Sequence, residues 1–277
     1  MLKHPYTRYD QLYVYNFDRT DLGHIDDPDL IGTWIEDETA ILFFHKEKKT
    51  LIEEIKQRNN ATILYEASLN YKDWEAGLEI STFSVPPLVV VPLWETEKLT
   101  LQEGEIAVHL DPSVIFGSGF HPTTRLCLQV ISDIVTSDAS AVKSMVDLGT
   151  GTGLLSIGAA KLGVKAIRCY DNNPFACAVA TKNVRLNECS KQIQVKEADL
   201  RSKLPDTEVD LLVANLYKDL LLEFFANPDF WKAKYYLISG FLPSMEEELL
   251  AALPMDKLKL LERRKSDTWR LWLLAKK

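Results

Sequence analysis

The strongest constraint in this chain is the stretch Val146-Asp147-Leu148-Gly149-Thr150-Gly151-Thr152-Gly153-Leu154. An apolar strand breaks there on alternating glycines and resumes as an apolar helix. A second apolar strand, Ile167-Arg168-Cys169-Tyr170, follows and ends on Asp171. Glycine lets a backbone turn sharply and lets a ligand come close to it. Strand, glycine turn, helix, strand and terminal acid together predict the first crossover of a Rossmann-like, doubly wound α/β sheet. In such sheets the ligand lies outside the carboxyl ends of the strands, at the switch point.

The wider pattern agrees. Strands are predicted over residues 144–148, 166–170, 193–195, 209–214, 235–239, 258–261 and 268–274. Helices are predicted over 123–135, 154–162, 174–187, 218–225 and 244–253. Strand and helix alternate, as a mainly parallel sheet requires. Residues 209–214 are almost continuously apolar, the mark of a strand covered on both faces. Ahead of this part, strands over 11–17, 39–44 and 61–66 and a helix over 46–57 predict a small α+β unit, read as a ferredoxin-like sandwich. A short helix carrying Trp74 is expected over 71–78, and Pro86, Pro87 and Pro92 mark a boundary. The resulting division is an α+β domain over 1–70, a linker over 71–92 and an α/β domain over 93–277.

The glycine spacing bears on the ligand. A dinucleotide fingerprint, G-x-G-x-x-G, would need its third glycine at Leu154. The run here is G-x-G-x-G, through Gly149, Gly151 and Gly153. That favours S-adenosylmethionine, which carries no pyrophosphate to seat on a helix N-terminus. Asp147 is expected to set a carboxylate near the cationic end of the cofactor. Asp171, with Asn172 beside it, is expected to meet the ribose hydroxyls, and Asp199 the adenine edge. The bland alternatives are a ligand-free turn for the glycines and a solvated turn acid for Asp199.

The 277 residues are 46% hydrophobic and 26% charged, as in a globular protein with a sizeable core. Apolar runs such as Leu88-Val89-Val90-Val91 are too short to span a membrane, and Met1-Leu2-Lys3-His4-Pro5-Tyr6 has no signal-peptide core. A cytoplasmic protein is expected. Cys127, Cys169, Cys177 and Cys189 are scattered without a C-x-x-C pair, and the five histidines lack ligand spacing, so neither a metal site nor a disulfide framework is expected. The net charge of −8 argues against direct nucleic-acid binding and suits a basic protein partner, besides serving ordinary solubility.

Upstream of the turn stands Ile115-Phe116-Gly117-Ser118-Gly119-Phe120-His121-Pro122-Thr123-Thr124-Arg125-Leu126-Cys127-Leu128. Physically this is a glycine loop breaking into a helix, with Thr123 or Thr124 offering a hydroxyl at the helix start. The wording closely resembles the FGTG-x-HPTT-x-LCL phrase of the ribosomal protein L11 methyltransferase family, PrmA. Asp73-Trp74-Glu75, Asp111-Pro112, Val213-Ala214-Asn215-Leu216, Leu237-Ile238-Ser239-Gly240-Phe241-Leu242 and the segment from Arg264-Lys265 to Trp269 resemble further family stretches. The resemblance covers roughly residues 70–277. It implies an S-adenosylmethionine-dependent enzyme that methylates amino groups, lysine side chains or the N-terminus, of a basic ribosomal protein. It also implies that the N-terminal domain recognises that substrate. Carried over by position, Thr124, Gly149, Asp171 and Asn215 would contact the cofactor. Phe120, Thr150, Thr152 and Tyr217-Lys218-Asp219-Leu220 depart from the family wording, near the expected acceptor site.

Methylation of an amine needs it neutral, whereas a free lysine has a pKa of about 10.4. Desolvation and the positive sulfur lower that value, so no strong base is required. Asn215 and the Leu216 carbonyl are expected to accept hydrogen bonds from the cofactor or the amine, with Asn215 as the catalytic candidate; a strand-end turn residue is its alternative. Tyr217 walls the amine pocket or simply packs. His121 handles a proton or makes a structural hydrogen bond. The competing functions are methylation of another protein or a small amine, and a non-catalytic cofactor-binding module. A nucleic-acid methyltransferase fits less well, because Asn215-Leu216-Tyr217-Lys218 is not N-P-P-Y.

Overall fold

The computed structural model describes residues 9–36, 38–74, 79–137 and 142–277. The terminal stretch Met1–Tyr6, Glu75 of the family-like Asp73-Trp74-Glu75 and the tail of the helix expected over 71–78 lie outside the described residues.

The N-terminal unit comprises β1 (Gln11–Phe17), β2 (Leu30–Glu36), β3 (Thr39–Phe44), α1 (Lys49–Asn59) and β4 (Ile63–Asn70). Its sheet has the order β2-β3-β1-β4 with antiparallel neighbours. Successive strand residues point to opposite faces. Tyr15, Phe17, Leu42 and Phe44 therefore bury against Ile52 and Ile55 of α1. Leu12, Val14 and Phe43 form the other face, packed with Tyr71, Ile80 and Val114. A ferredoxin-like unit carries a helix in each of two crossovers. Here the strand order matches, but residues 18–29 between β1 and β2 carry no helix, so among the described residues the unit has α1 alone. Strand β2 had no sequence signal: it is an edge strand with no fully buried residue, so it shows no alternation.

After α2 (Tyr71–Trp74) come β5 (Phe83–Val85), β6 (Leu88–Pro92), a 3-10 turn (Leu93–Lys98) and β7 (Ile106–Leu110). The expected linker over 71–92 is corrected by β5 and β6. They form a small sheet with β7 whose Val85, Leu88, Val90, Val108 and Leu110 belong to the main core. The prolines interrupt the run without making it a spacer.

The main sheet is built from β8 (Ser144–Leu148), β9 (Ala166–Asp171), β10 (Ile193–Glu197), β11 (Leu211–Asn215), β12 (Tyr235–Phe241), β13 (Leu258–Ser266) and β14 (Trp269–Lys276). Its order is β10-β9-β8-β11-β12-β14-β13. The first five are parallel, and β14 and β13 close the edge antiparallel. Helices α3 (Pro122–Ser137), α4 (Leu154–Lys161) and α5 (Pro174–Leu186) interleave with α6 (Lys218–Phe225) and α7 (Pro243–Ala251) along the chain. One core layer lies under α3, α4 and α5, the other under α6 and α7. Strand β8 sits between β9 and β11, so the order reverses there and a crevice opens at their carboxyl ends. Among the described residues no helix is long and apolar enough to cross a membrane, and no group of His, Cys, Asp and Glu could hold a metal.

Candidate active site

The crevice is a cavity of about 640 Å³ whose walls include Gly149, Gly151, Asp171, Asn172, Asp199, Asn215 and Leu216. The glycine turn holds φ values of 74° at Gly149 and 54° at Gly151, in the left-handed region that side chains resist. A Cβ on Gly151 would collide with the Phe116 carbonyl, and one on Gly149 with the Leu216 side chain. The Thr152 amide donates to the Phe116 carbonyl at 3.1 Å and its hydroxyl to the Gly117 carbonyl at 2.6 Å. The two glycine loops are thereby stapled into one wall.

Asp171 ends β9. Its Oδ2 accepts the Gly151 amide and its Oδ1 the Asn173 amide, each at 3.0 Å. Burial raises its pKa, and the amide donors work against that rise. An ionised carboxylate offers about four lone-pair sites. Two amides leave capacity for hydroxyl groups in the cavity. Asn173 caps α5, accepting from the Phe175 amide at 2.9 Å. Asp199 accepts the Arg201 amide at 3.0 Å and remains exposed on the wall. Asn215 ends β11, and its Oδ1 is buried with no hydrogen-bond partner. The Leu216 amide donates to the Ser239 carbonyl at 3.1 Å, fixing the chain as it leaves the sheet.

Three expected residues stand outside the cavity wall. Asp147 is only 1% exposed. It points to the same sheet face as Met145, beneath α4, because strand parity decides its direction. Its Oδ2 takes hydroxyl donors from Thr150 at 2.8 Å and Ser156 at 2.7 Å, and burial pushes its pKa up to about 6. It stitches the turn and does not line the cavity. Gly153, with φ 83°, caps α4 and packs on Ala180 of α5. Thr124 is buried one residue behind the wall, with an unpartnered Oγ1, while Thr123 lines the cavity. His121 shares a 2.7 Å hydrogen bond between Nδ1 and the Thr123 hydroxyl, and burial lowers its pKa. Its geometry is that of a helix-start bond.

Sequence reasoning missed several wall residues. Phe116 and Trp269 flank His121, with ring centroids 5.0 and 4.7 Å away. Gly240, with φ 97°, admits the Leu216 carbonyl. Trp34, Ile35 and Glu36 reach the cavity from β2 of the N-terminal unit. No local pattern announces residues so far away in the chain. Tyr217 does line the cavity; it is 51% exposed and accepts a 2.6 Å hydrogen bond from Arg201.

A seven-stranded sheet with an antiparallel closing edge and a cavity at its switch point defines a class I methyltransferase fold. The solved structure of a ribosomal protein L11 methylase from Lactobacillus delbrueckii subsp. bulgaricus has that fold. It is 23% identical, with a TM-score of 0.61, covering 72% of this chain and all of that one. The chain belongs to the ribosomal protein L11 methyltransferase (PrmA) family, whose profile matches residues 23–277. The ribosomal protein L11 methyltransferase of Exiguobacterium sibiricum is 36% identical over 185 residues, 66% of this chain and 56% of that protein. That of Bacillus licheniformis is 31% identical over 241 residues, 82% of this chain and 75% of that protein.

Proposed function

We propose that this protein transfers methyl groups from S-adenosylmethionine to amino groups of ribosomal protein L11, in the cytoplasm. The substrate comes from the names of the relatives. The observation that carries the cofactor and the chemistry is Asn215, a residue of the cavity wall whose buried Oδ1 has no partner. Buried polar atoms are nearly always paired, so an orphan on a cavity wall calls for a ligand donor. The glycine cradle supports the same reading, because side chains at Gly149 and Gly151 would push away Leu216 and the Phe116 carbonyl, and both of those residues wall the cavity. Asp171 has acceptor capacity for ribose hydroxyls, and Asn172 and Asp199 lie within the same wall.

When bound there, S-adenosylmethionine supplies an electrophilic methyl group on a positive sulfur. Asn215 Oδ1 and the Leu216 carbonyl accept hydrogen bonds from the amine or from the cofactor's ammonium. An acceptor-only pair orients the N–H groups of a neutral amine and leaves its lone pair free to attack. The rings of Phe116, Trp34 and Trp269 narrow the cavity and exclude water, which favours the uncharged amine. The remaining proton leaves to solvent. Alignment and desolvation carry the acceleration.

The test is calorimetric titration with S-adenosylmethionine, followed by intact-mass analysis of purified ribosomal protein L11 after incubation with both. Added mass in 14-Da steps is expected, where each step is about one methylene, and Gly149→Arg should abolish it. Absence of cofactor binding would sink the reading. Binding with L11 left unmodified would leave a methyltransferase of another acceptor, to be sought in a cell lysate.

A further inference from the structure

The loop that builds one wall of the cavity is held from two sides. On the catalytic side, Asn183 is fully buried in α5. Its Oδ1 accepts the Asp111 amide at 2.8 Å, and its Nδ2 donates to the Asp111 and Thr152 carbonyls, both at 2.9 Å. One side chain thus ties residue 111 to the glycine turn. Lys182 pairs with Asp111 Oδ2 beside it.

On the other side, three aromatic residues outside the α/β core grip the same few residues. The Tyr9 hydroxyl donates to Asp111 Oδ1 at 2.8 Å. The Tyr71 hydroxyl donates to the Ser113 carbonyl. Trp74 Nε1 donates to the Val114 carbonyl at 3.2 Å. The rings are themselves fixed to the N-terminal unit. Tyr9 stacks on His45 at 4.9 Å and on Tyr71 at 4.8 Å, and Trp74 meets Phe43 of β3 edge-on at 5.2 Å. Tyr9 and Tyr71 are almost fully buried. A second cavity, of about 660 Å³, runs along this seam between the sheet and α5. With a void on one flank, the loop depends the more on these bonds for its position.

The gripped residues lead straight into the cavity. Ile115 and Phe116 are the next two in the chain, both are wall residues, and the Phe116 carbonyl lies against Gly151. We infer that Tyr9, Tyr71 and Trp74 are positioning residues for the cofactor-binding loop, coupling the docking of the N-terminal unit to occupancy of the catalytic cavity. The inference rests on the S-adenosylmethionine reading above. The coupling is reciprocal: if docking favours the cofactor, the cofactor favours docking by the same factor.

The experiment compares the full chain with the triple variant Tyr9→Phe, Tyr71→Phe, Trp74→Phe, which keeps an aromatic ring at each position and removes the three donors. S-adenosylmethionine is titrated calorimetrically into each, with Tyr65→Phe on the exposed edge of β4 as a control. The triple variant is expected to keep its circular dichroism and to bind about fivefold more weakly or worse, the lower end of ordinary coupling. Equal affinity in wild type and triple variant overturns the inference and leaves the proposed function standing. Failure of the wild type to bind takes down both. If the triple variant does not fold, hydrogen exchange on the wild type decides. Saturating S-adenosylmethionine is expected to slow amides of β1 and β4, neither of which lines the catalytic cavity or pairs with β2. Unchanged exchange there overturns the coupling. A purely structural role for the three rings would alter melting without cofactor-dependent protection.

Discussion

At the scale of single residues, the cavity separates groups that serve the fold from groups held ready for a ligand. On the proposed function Asn215 is the second kind: its buried oxygen has no partner, which costs the free protein about 1–3 kcal/mol. Asn215→Ala is therefore expected to leave thermal stability unchanged or higher while methyl transfer falls by about two orders of magnitude, the usual cost of a lost polar contact at a reacting centre. A stability loss with turnover intact would show that Asn215 is a turn residue. Gly151→Ala is expected to weaken S-adenosylmethionine at least about tenfold, because a left-handed alanine already costs about 1–2 kcal/mol and its methyl meets the Phe116 carbonyl. Asp147 serves the fold and leaves a pH signature. Burial raises its folded pKa from 3.8 to about 6. The folded state then binds more protons than the unfolded state between those values, so stability falls as pH rises through about 4 to 6. The shift corresponds to about 3 kcal/mol. Urea unfolding of Asp147→Asn across that range should lack this fall, and parallel curves for both proteins would refute the assignment.

At the scale of elements, the two ends of the sheet divide the labour. The cavity occupies the carboxyl ends, and Asp210 ties the opposite ends together. Its Oδ2 accepts from the amides of Lys143 and Ser144 at 2.9 and 3.0 Å, and its Oδ1 pairs with Lys234. β8, β11 and β12 therefore start in register. Burial works to raise this carboxyl, but the Lys234 ammonium and the backbone amides outweigh it and hold the pKa at about 2. The folded value is depressed, so the stabilisation is present above the unfolded value of 3.8 and is lost as pH falls through about 2. Asp210→Ala is expected to lower unfolding stability by about 2–4 kcal/mol at pH 7, leaving the Lys143 and Ser144 amides at the start of β8 unpaired, with cofactor affinity unchanged. A change in cofactor affinity without a change in stability would contradict that division. Elements with strong periodicity or caps were legible in the sequence. Helix α5 announces itself by Asn173-Pro174, and β11 by its unbroken apolar run. Strand β2 was not legible, because a half-exposed edge strand carries no alternation. Nor were β5 and β6 read as core strands, since their prolines imitate a linker while their packing partner β7 lies farther along the chain.

At the scale of the whole molecule, the N-terminal unit is part of the wall of the switch-point cavity. Trp34, Ile35 and Glu36 complete the wall that the α/β domain begins. Gly32 of β2 leaves just enough room for the Phe175 ring of α5, so β2 lies directly against that helix. Glu36 adds a carboxylate to the cavity wall, and the chain as a whole carries a net charge of −8, so on the proposed function both favour a basic acceptor. Attraction between exposed charges is screened within about 8 Å at physiological salt. KM for ribosomal protein L11 is accordingly expected to rise with added sodium chloride while the affinity for S-adenosylmethionine at the glycine cradle moves less. Glu36→Gln should flatten the salt dependence. A KM indifferent to salt would remove charge from the account of acceptor recognition.

What the sequence by itself determined were the features written in neighbouring residues: the glycine turn, the acid closing the second strand, the alternation of strand and helix, and the family wording around Phe116–Leu128. These rest on local backbone geometry and on periods of two and 3.6 residues, which a short window contains. Tertiary structure alone decided which side of the sheet each side chain faced and which distant segments met. It turned Asp147 under α4 and away from the crevice, set Thr123 in front of Thr124, and brought Trp34, Glu36, Gly240 and Trp269 to one cavity. The reason is physical: burial and contact depend on what lies across the space, and no run of neighbouring residues encodes that.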